Sequence, residues 1–226
     1  MPPTRRYNNP SLFGGPANGC VFAIVDWKNF LGALAQEYAT VVGTITEAAS
    51  PYGTALRIGA GASYVTVNWR SLCPEGASPR SIFTQAYFPD NGNFGTASFG
   101  GAGVRDYTFV GPASPNYWGG LNGDWDSSLG GTQLPGWETI ALTNAGINGG
   151  ANIIYAQGTQ QVAGTNGAVA VSTYDSLYLM DIRGAVHCPV GSMLQVIIVF
   201  SRVITAAEVL ELHKQCVAAK LLRMEC

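Results

Sequence analysis

The chain has 226 residues, a formal net charge of −2, 29 glycines and 12 prolines, and only 12% charged side chains against roughly 25% in an average soluble protein. That length suffices for one large β domain with a sizeable core. A net charge of −2 gives no sign of a basic nucleic-acid groove. Mean hydropathy is +0.14, yet no apolar run approaches the roughly 20 residues of a membrane helix. So little charge fits a surface covered by neighbouring subunits, and it also fits a neutral Gly- and Ala-rich exterior.

Residues 1–19, rich in Pro, Asn and Gly and carrying Arg5 and Arg6, lack periodicity and read as an arm that gains order only on a neighbour. The opening segment has no apolar stretch of secretory type, so no export signal is expected. Residues 20–25 form a short apolar strand. Residues 26–38 carry Phe30, Leu31 and Leu34 at helical spacing, weakened by Gly32. Residues 39–47 read as one strand, turned by Pro51 and Gly53. Residues 54–58 and 63–68 read as a hairpin around GAGA. In its second arm Tyr64, Thr66 and Asn68 share one side, and Val65 and Val67 the other.

Residues 80–88 are another strand, and 94–103 and 104–110 two more. Residues 111–134 show no regular pattern. Strands follow at 137–142, at 151–157 and 160–164 as a hairpin on Gly158, and at 177–180. The run 193–200 is apolar on both faces, with Leu194, Val196, Ile198 and Phe200 on one side and Ile197 and Val199 on the other. Such a strand is buried on both. Thr205 and Glu208 then form a capping box, opening a helix with a Val209, Leu212, Cys216 stripe. Short strands with frequent turn signals predict an all-β antiparallel sandwich or jelly roll. The expected organisation is an arm at 1–19, the sandwich at 20–204, and a helix with its tail at 205–226.

Four stretches resemble the laminin-G-like jelly roll of the concanavalin A-like lectin/glucanase superfamily. They are SPYGTALRIGAGASYVTV at 50–67, RSIFTQAYFPD at 80–90, WETIALT at 137–143 with IIYAQG at 153–158, and the closing strand and helix IIVFSRVITAAEVLELH. The resemblance spans roughly 39–215 and implies that fold. The fold hosts lectins, glycosidases, adhesion modules and structural proteins, so it leaves function open.

Glycosidases of this superfamily place acid and nucleophile on one strand facing one cleft, and no such cluster of glutamates exists here. Asp124 and Asp126 are the only close acid pair, in a segment whose glycines favour Asx turns. The expectation is a protein that is not an enzyme and holds no cofactor. Asp90, Asp124 and Asp126, helped by Asn122 and Ser127, have the oxygens for a calcium ion, as turn residues also would. Tyr117, Trp118 and Trp125 bracket Asn122 and Asp124, and together these five suit a sugar; loop aromatics equally cap a sandwich edge or meet a subunit. His187 and Cys188, adjacent on a strand, point apart. The five cysteines lack metal-ligand spacing and read as small apolar residues.

The functional expectation is a structural or adhesion protein of a virus particle, such as a phage capsid-decoration, fibre or tail component. Modules of this fold work mostly outside cells, and lysis releases a virion protein made in the host cytoplasm without export. Expected partners are further copies of the chain, other virion proteins and a cell-surface glycan, with no nucleic acid and no membrane insertion. The alternative is a soluble carbohydrate-binding module, extracellular by a non-classical route.

Overall fold

The computed structural model describes residues 19–28, 30–31, 39–68, 78–90, 95–100, 108–113, 116–120, 129–130, 135–146, 150–165, 176–182 and 186–224. Two antiparallel sheets face each other. Sheet A runs β13 (Thr159–Thr165), β12 (Ala151–Ala156), β11 (Gly136–Asn144), β6 (Arg80–Phe88), β17 (Met193–Phe200), β4 (Gly53–Ile58), β3 (Ile45–Ser50), with β1 (Cys20–Ile24) also paired to β17. Sheet B runs β10 (Leu129–Gly130), β9 (Asn116–Gly120), β8 (Thr108–Ala113), β7 (Ala97–Gly100), β14 (Ser176–Leu179), β5 (Tyr64–Asn68), β2 (Ala39–Val42). A small ribbon pairs β15 (Asp181–Ile182) with β16 (Val186–His187). The helix α1 (Ala206–Met224) completes the described elements. The all-β antiparallel sandwich with a C-terminal helix is therefore the observed fold.

Two apolar layers hold it together. Between the sheets lie Phe22, Ile24, Trp27, Leu56, Val65, Ile82, Phe88, Ile140, Leu177 and Ile197, all buried. On the outer face of sheet A, Phe83, Ala141, Tyr155, Val196, Ile198 and Phe200 meet Val209 and Leu212 of α1, with Cys216 packed beside them. This is why β17 has no polar face: the second sheet covers one side and the helix the other. The expected stripe on α1 is the one that packs.

β17 departs from strict alternation. Its register with β6 slips between Leu194 and Val196. Leu194 thereby joins Ile197 and Val199 in the inter-sheet layer instead of standing with Val196, Ile198 and Phe200. The extra residue of this β-bulge is Gln195, fully buried. Its Nε2 donates to Val25 O at 2.8 Å and to Thr54 O at 3.1 Å. Its own carbonyl accepts from Trp27 Nε1 at 2.9 Å. The flank of β17 pairs with β4 at one end and β1 at the other, and Gln195 stitches the seam between them.

Three sequence expectations need correcting. The strand expected at 39–47 is two strands in different sheets: β2 lies in B and β3 in A. Gly43, at φ 73, makes the crossover, and a Cβ there would collide with the Ser63 side chain. The expected 54–58/63–68 hairpin also fails, because β4 pairs with β3 and β17 while β5 pairs with β14 and β2. GAGA crosses between layers, and the hairpin in this region is β3–β4 around Pro51 and Tyr52. Finally, the patternless stretch at 111–134 contains the end of β8 and all of β9 and β10, which glycines and prolines conceal. The strands expected at 94–103 and 104–110 are observed as Ala97–Gly100 and Thr108–Ala113. The arm at 1–18, most of the helical pattern at 26–38, and Cys73 and Cys226 lie outside the described residues.

Candidate functional site

The two outer faces of the sandwich differ. That of sheet A is closed along α1. The helix starts at a reciprocal cap: Glu208 N donates to Thr205 Oγ1 at 3.2 Å and Thr205 N to Glu208 Oε2 at 2.7 Å. Arg202 grips the same carboxylate, with Nη1 donating to Oε2 at 3.0 Å and Nη2 to Oε1. Arg202 hydrogen bonding, followed by the Thr205 bonds after a smaller opposing effect of burial, lowers the Glu208 pKa to about 2. Further along, His213 Nδ1 lies 2.9 Å from Thr139 Oγ1, and burial lowers the imidazole pKa. Cys216 follows, its thiol pushed up to about 12 by burial. Near this half of the helix Trp137 packs between Tyr52 and Tyr87, with ring centroids 5.1 and 5.7 Å away.

The outer face of sheet B is built differently. On β5 the inward positions Val65 and Val67 are buried, whereas Tyr64 and Thr66 are half-buried on the outward side, as the alternation predicts. Register places Thr40, Thr66 and Tyr178 in one cross-strand row. Tyr64 stacks on His187, with centroids 5.8 Å apart and planes within 7°, and lies 6.0 Å from the Tyr178 ring. His187 reaches this place on the β15–β16 ribbon, which the chain enters through Met180 at φ 62. Its Nδ1 stands 3.0 Å from Oδ1 of the fully buried Asp181, at ion-pair distance but off the line of a hydrogen bond. Ser98 Oγ donates to the Asp181 carbonyl at 3.1 Å and ties the ribbon to β7. Cys188 points away into the core: its Sγ donates to Gly95 O at 3.3 Å, and burial raises its pKa. The expected separation of His187 from Cys188 is thus observed.

The residues singled out from sequence fare unevenly. Tyr117 and Trp118 occupy consecutive positions of β9, paired with Gly130 and Leu129, so they belong to a strand and not to a loop. Asn122, Asp124, Trp125 and Asp126 lie outside the described residues. Asp90 is exposed just past β6. Most of the other described acids serve local structure. Asp26 Oδ1 accepts from Lys28 N and Thr54 N, both at 3.2 Å, and Glu47 Oε1 from Leu31 N at 2.8 Å. Glu211 accepts from Gln215 at 3.2 Å. Glu138 is buried on β11. Among the described residues no three His, Cys, Asp or Glu side chains gather as a metal centre would require. Sequence reasoning did not find the Tyr64–His187–Asp181 contact. The alternation in β5 was its visible half, whereas the ribbon that brings His187 across was not.

No protein-family model matches the chain, and no curated protein matches it in sequence. Solved structures match in fold. Domain 4 of AbnA, a GH43 extracellular arabinanase from Geobacillus stearothermophilus, in complex with arabinotriose, aligns with TM-score 0.60 and 15% identity over 86% of this chain and 98% of that one. The botulinum neurotoxin serotype G binding domain gives 0.61 and 11%, over 87% of this chain and 51% of its own. Trypanosoma rangeli sialidase in complex with the inhibitor DANA gives 0.55 and 12%, over 77% and 29%. The chain therefore matches nearly all of the arabinanase domain but only about half of the toxin domain. At these identities the likeness establishes the fold alone, an antiparallel jelly-roll β-sandwich.

Proposed function

We propose that the chain is a non-catalytic adhesion protein: a lectin-like sandwich that recognises surface glycan and works as a subunit of a bacteriophage particle, in a capsid-decoration, fibre or tail role. The observation that carries the reading is the fold match over 98% of a domain solved with arabinotriose, alongside a second match to a toxin binding domain. The subunit role draws on the 12% charged composition. It draws also on Leu210 and Val217, seven residues apart on α1 and 39% and 40% exposed, which a neighbouring subunit would cover. Residues 1–19 are the expected reach to that neighbour. Further copies of the chain and other virion proteins are the proposed partners, and the virion is the proposed location. No cofactor is required in this reading; calcium at Asp90, Asp124 and Asp126 is the metal to test, by melting the chain with and without chelator.

Fractionating a lysate of producing cells on a density gradient tests the assignment. Co-banding of the chain with particles is expected. A chain that stays with soluble protein, sediments as a monomer with or without residues 1–19, and binds no glycan overturns it. A second reading, a free-standing carbohydrate-binding module, is favoured by the arabinotriose complex, and a soluble glycan-binding monomer is its signature.

A further inference from the structure

We infer that the outer face of sheet B is a binding site for a neutral saccharide, seated on Tyr64 and His187. The inference rests on the glycan-binding reading above and gives it a place. Of the two outer faces, α1 closes that of sheet A over its central strands. On sheet B the outward positions of β2 and β5 stay accessible: Thr40 is exposed, and Tyr64 and Thr66 are half-buried.

The chemistry of this surface matches one class of ligand. A sugar ring has an apolar C–H face and a rim of hydroxyls. Aromatic rings offer the first a flat apolar surface with a negative π-face. Tyr64 is the middle of three rings, with His187 at 5.8 Å and Tyr178 at 6.0 Å. Beside them run the hydroxyls of Thr40 and Thr66, on facing positions of neighbouring strands. That step is about 4.8 Å, close to the distance between hydroxyls across one sugar ring. The His187 Nδ1 stands against Asp181, which leaves Nε2 to meet a ligand hydroxyl.

Charge selects among sugars. β2, β5 and β14 carry no Lys, Arg, Asp or Glu, so nothing on them would pair with a sialic acid, uronic acid or phosphate.

Isothermal titration of the full chain with arabinotriose, cellotriose and maltotriose tests the site. Binding of at least one by the wild type is expected. Tyr64→Ala should weaken it about tenfold or more, the scale of a lost aromatic contact, and Tyr64→Phe, which keeps the ring, by no more than about threefold on the same scale. Thr40→Arg places bulk and charge on the face from an exposed position and should weaken binding about tenfold too. It serves as the decisive variant if Tyr64→Ala fails to fold. Wild-type binding that survives both Tyr64→Ala and Thr40→Arg overturns the site while leaving glycan binding to another surface. A wild type that binds none of the three overturns the site and removes support from the glycan-binding reading. A face that captures a second copy of the chain and no sugar also overturns it.

Discussion

The cap at the start of α1 offers the sharpest test of how this helix is held. Thr205→Ala removes the Oγ1 that accepts from Glu208 N at 3.2 Å, while Thr205 N still donates to Glu208 at 2.7 Å. Lost N-caps cost about 0.5–2 kcal/mol. Because half of the reciprocal pair survives, about 1 kcal/mol is expected, or roughly 2–4 °C in Tm for a domain of this size. Glu208→Gln separates the charge from the cap. In the folded chain the carboxyl pKa falls from the ordinary 4.5 to about 2, chiefly through Arg202. Taken at face value, linkage gives about 3 kcal/mol. The Arg202 and Glu208 side chains are 34% and 40% exposed, so screening leaves about 1 kcal/mol. A depressed folded pKa stabilises above the unfolded value. This contribution is therefore complete at neutral pH and is lost as pH falls through 4.5 towards 2. Urea melts from pH 7 to pH 2.5 should show wild type above Glu208→Gln at neutral pH and the gap closing on acidification. A Thr205→Ala protein that melts with the wild type, or a gap that ignores pH, would refute the reasoning.

Other positions give shorter tests. Gly43→Ala puts a Cβ into Ser63 at φ 73 and should cost about 1–3 kcal/mol, read by urea unfolding; an unchanged midpoint would mean that the crossover does not need glycine. Trp27→Phe leaves the Gln195 carbonyl without its indole donor, now at 2.9 Å, and should cost about 1–3 kcal/mol, whereas Gln195→Ala should cost at least as much by opening the β1–β4 seam. Burial holds the Cys216 thiol at about 12 and raises that of Cys20. Maleimide labelling at pH 8 followed by peptide mapping should leave both unmodified in the folded chain and modify both in urea; rapid native labelling of Cys216 would show that the helix does not cover it.

How much of this was legible in the sequence depended on whether the information was local. The cap at Thr205 and Glu208 needs only four residues, and the structure places it as read. The β12–β13 hairpin around Gly158 is equally local. The two-sided burial of β17 could be foreseen without knowing what covers it, because a strand with no polar face must meet apolar partners on both sides. Partner choice could not be foreseen. Residues 54–58 and 63–68 look like a hairpin because they are two short strands around glycines, yet the β3–β4 turn competes for the first of them and wins. Gly43 then sends the chain across to the other sheet. Gln195 shows a second limit. A single polar residue in an apolar run reads as a flaw in alternation, and only the seam between β1 and β4 explains why an amide belongs there.

The site follows the same rule. The outward set of β5 was readable as a polar face, but its neighbours come from distant segments: Thr40 from the edge strand β2, Tyr178 from β14, and His187 from a two-residue ribbon held against β7. A platform assembled from four separate segments has no spacing for a motif to record. Of the Asx and aromatic run around Asp124, which drew attention by being close in sequence, residues 122–126 lie outside the described residues. In a sandwich with one outer face closed by its own helix, the search for a binding surface is better begun from what the fold leaves open. That leads to sheet B and to Tyr64.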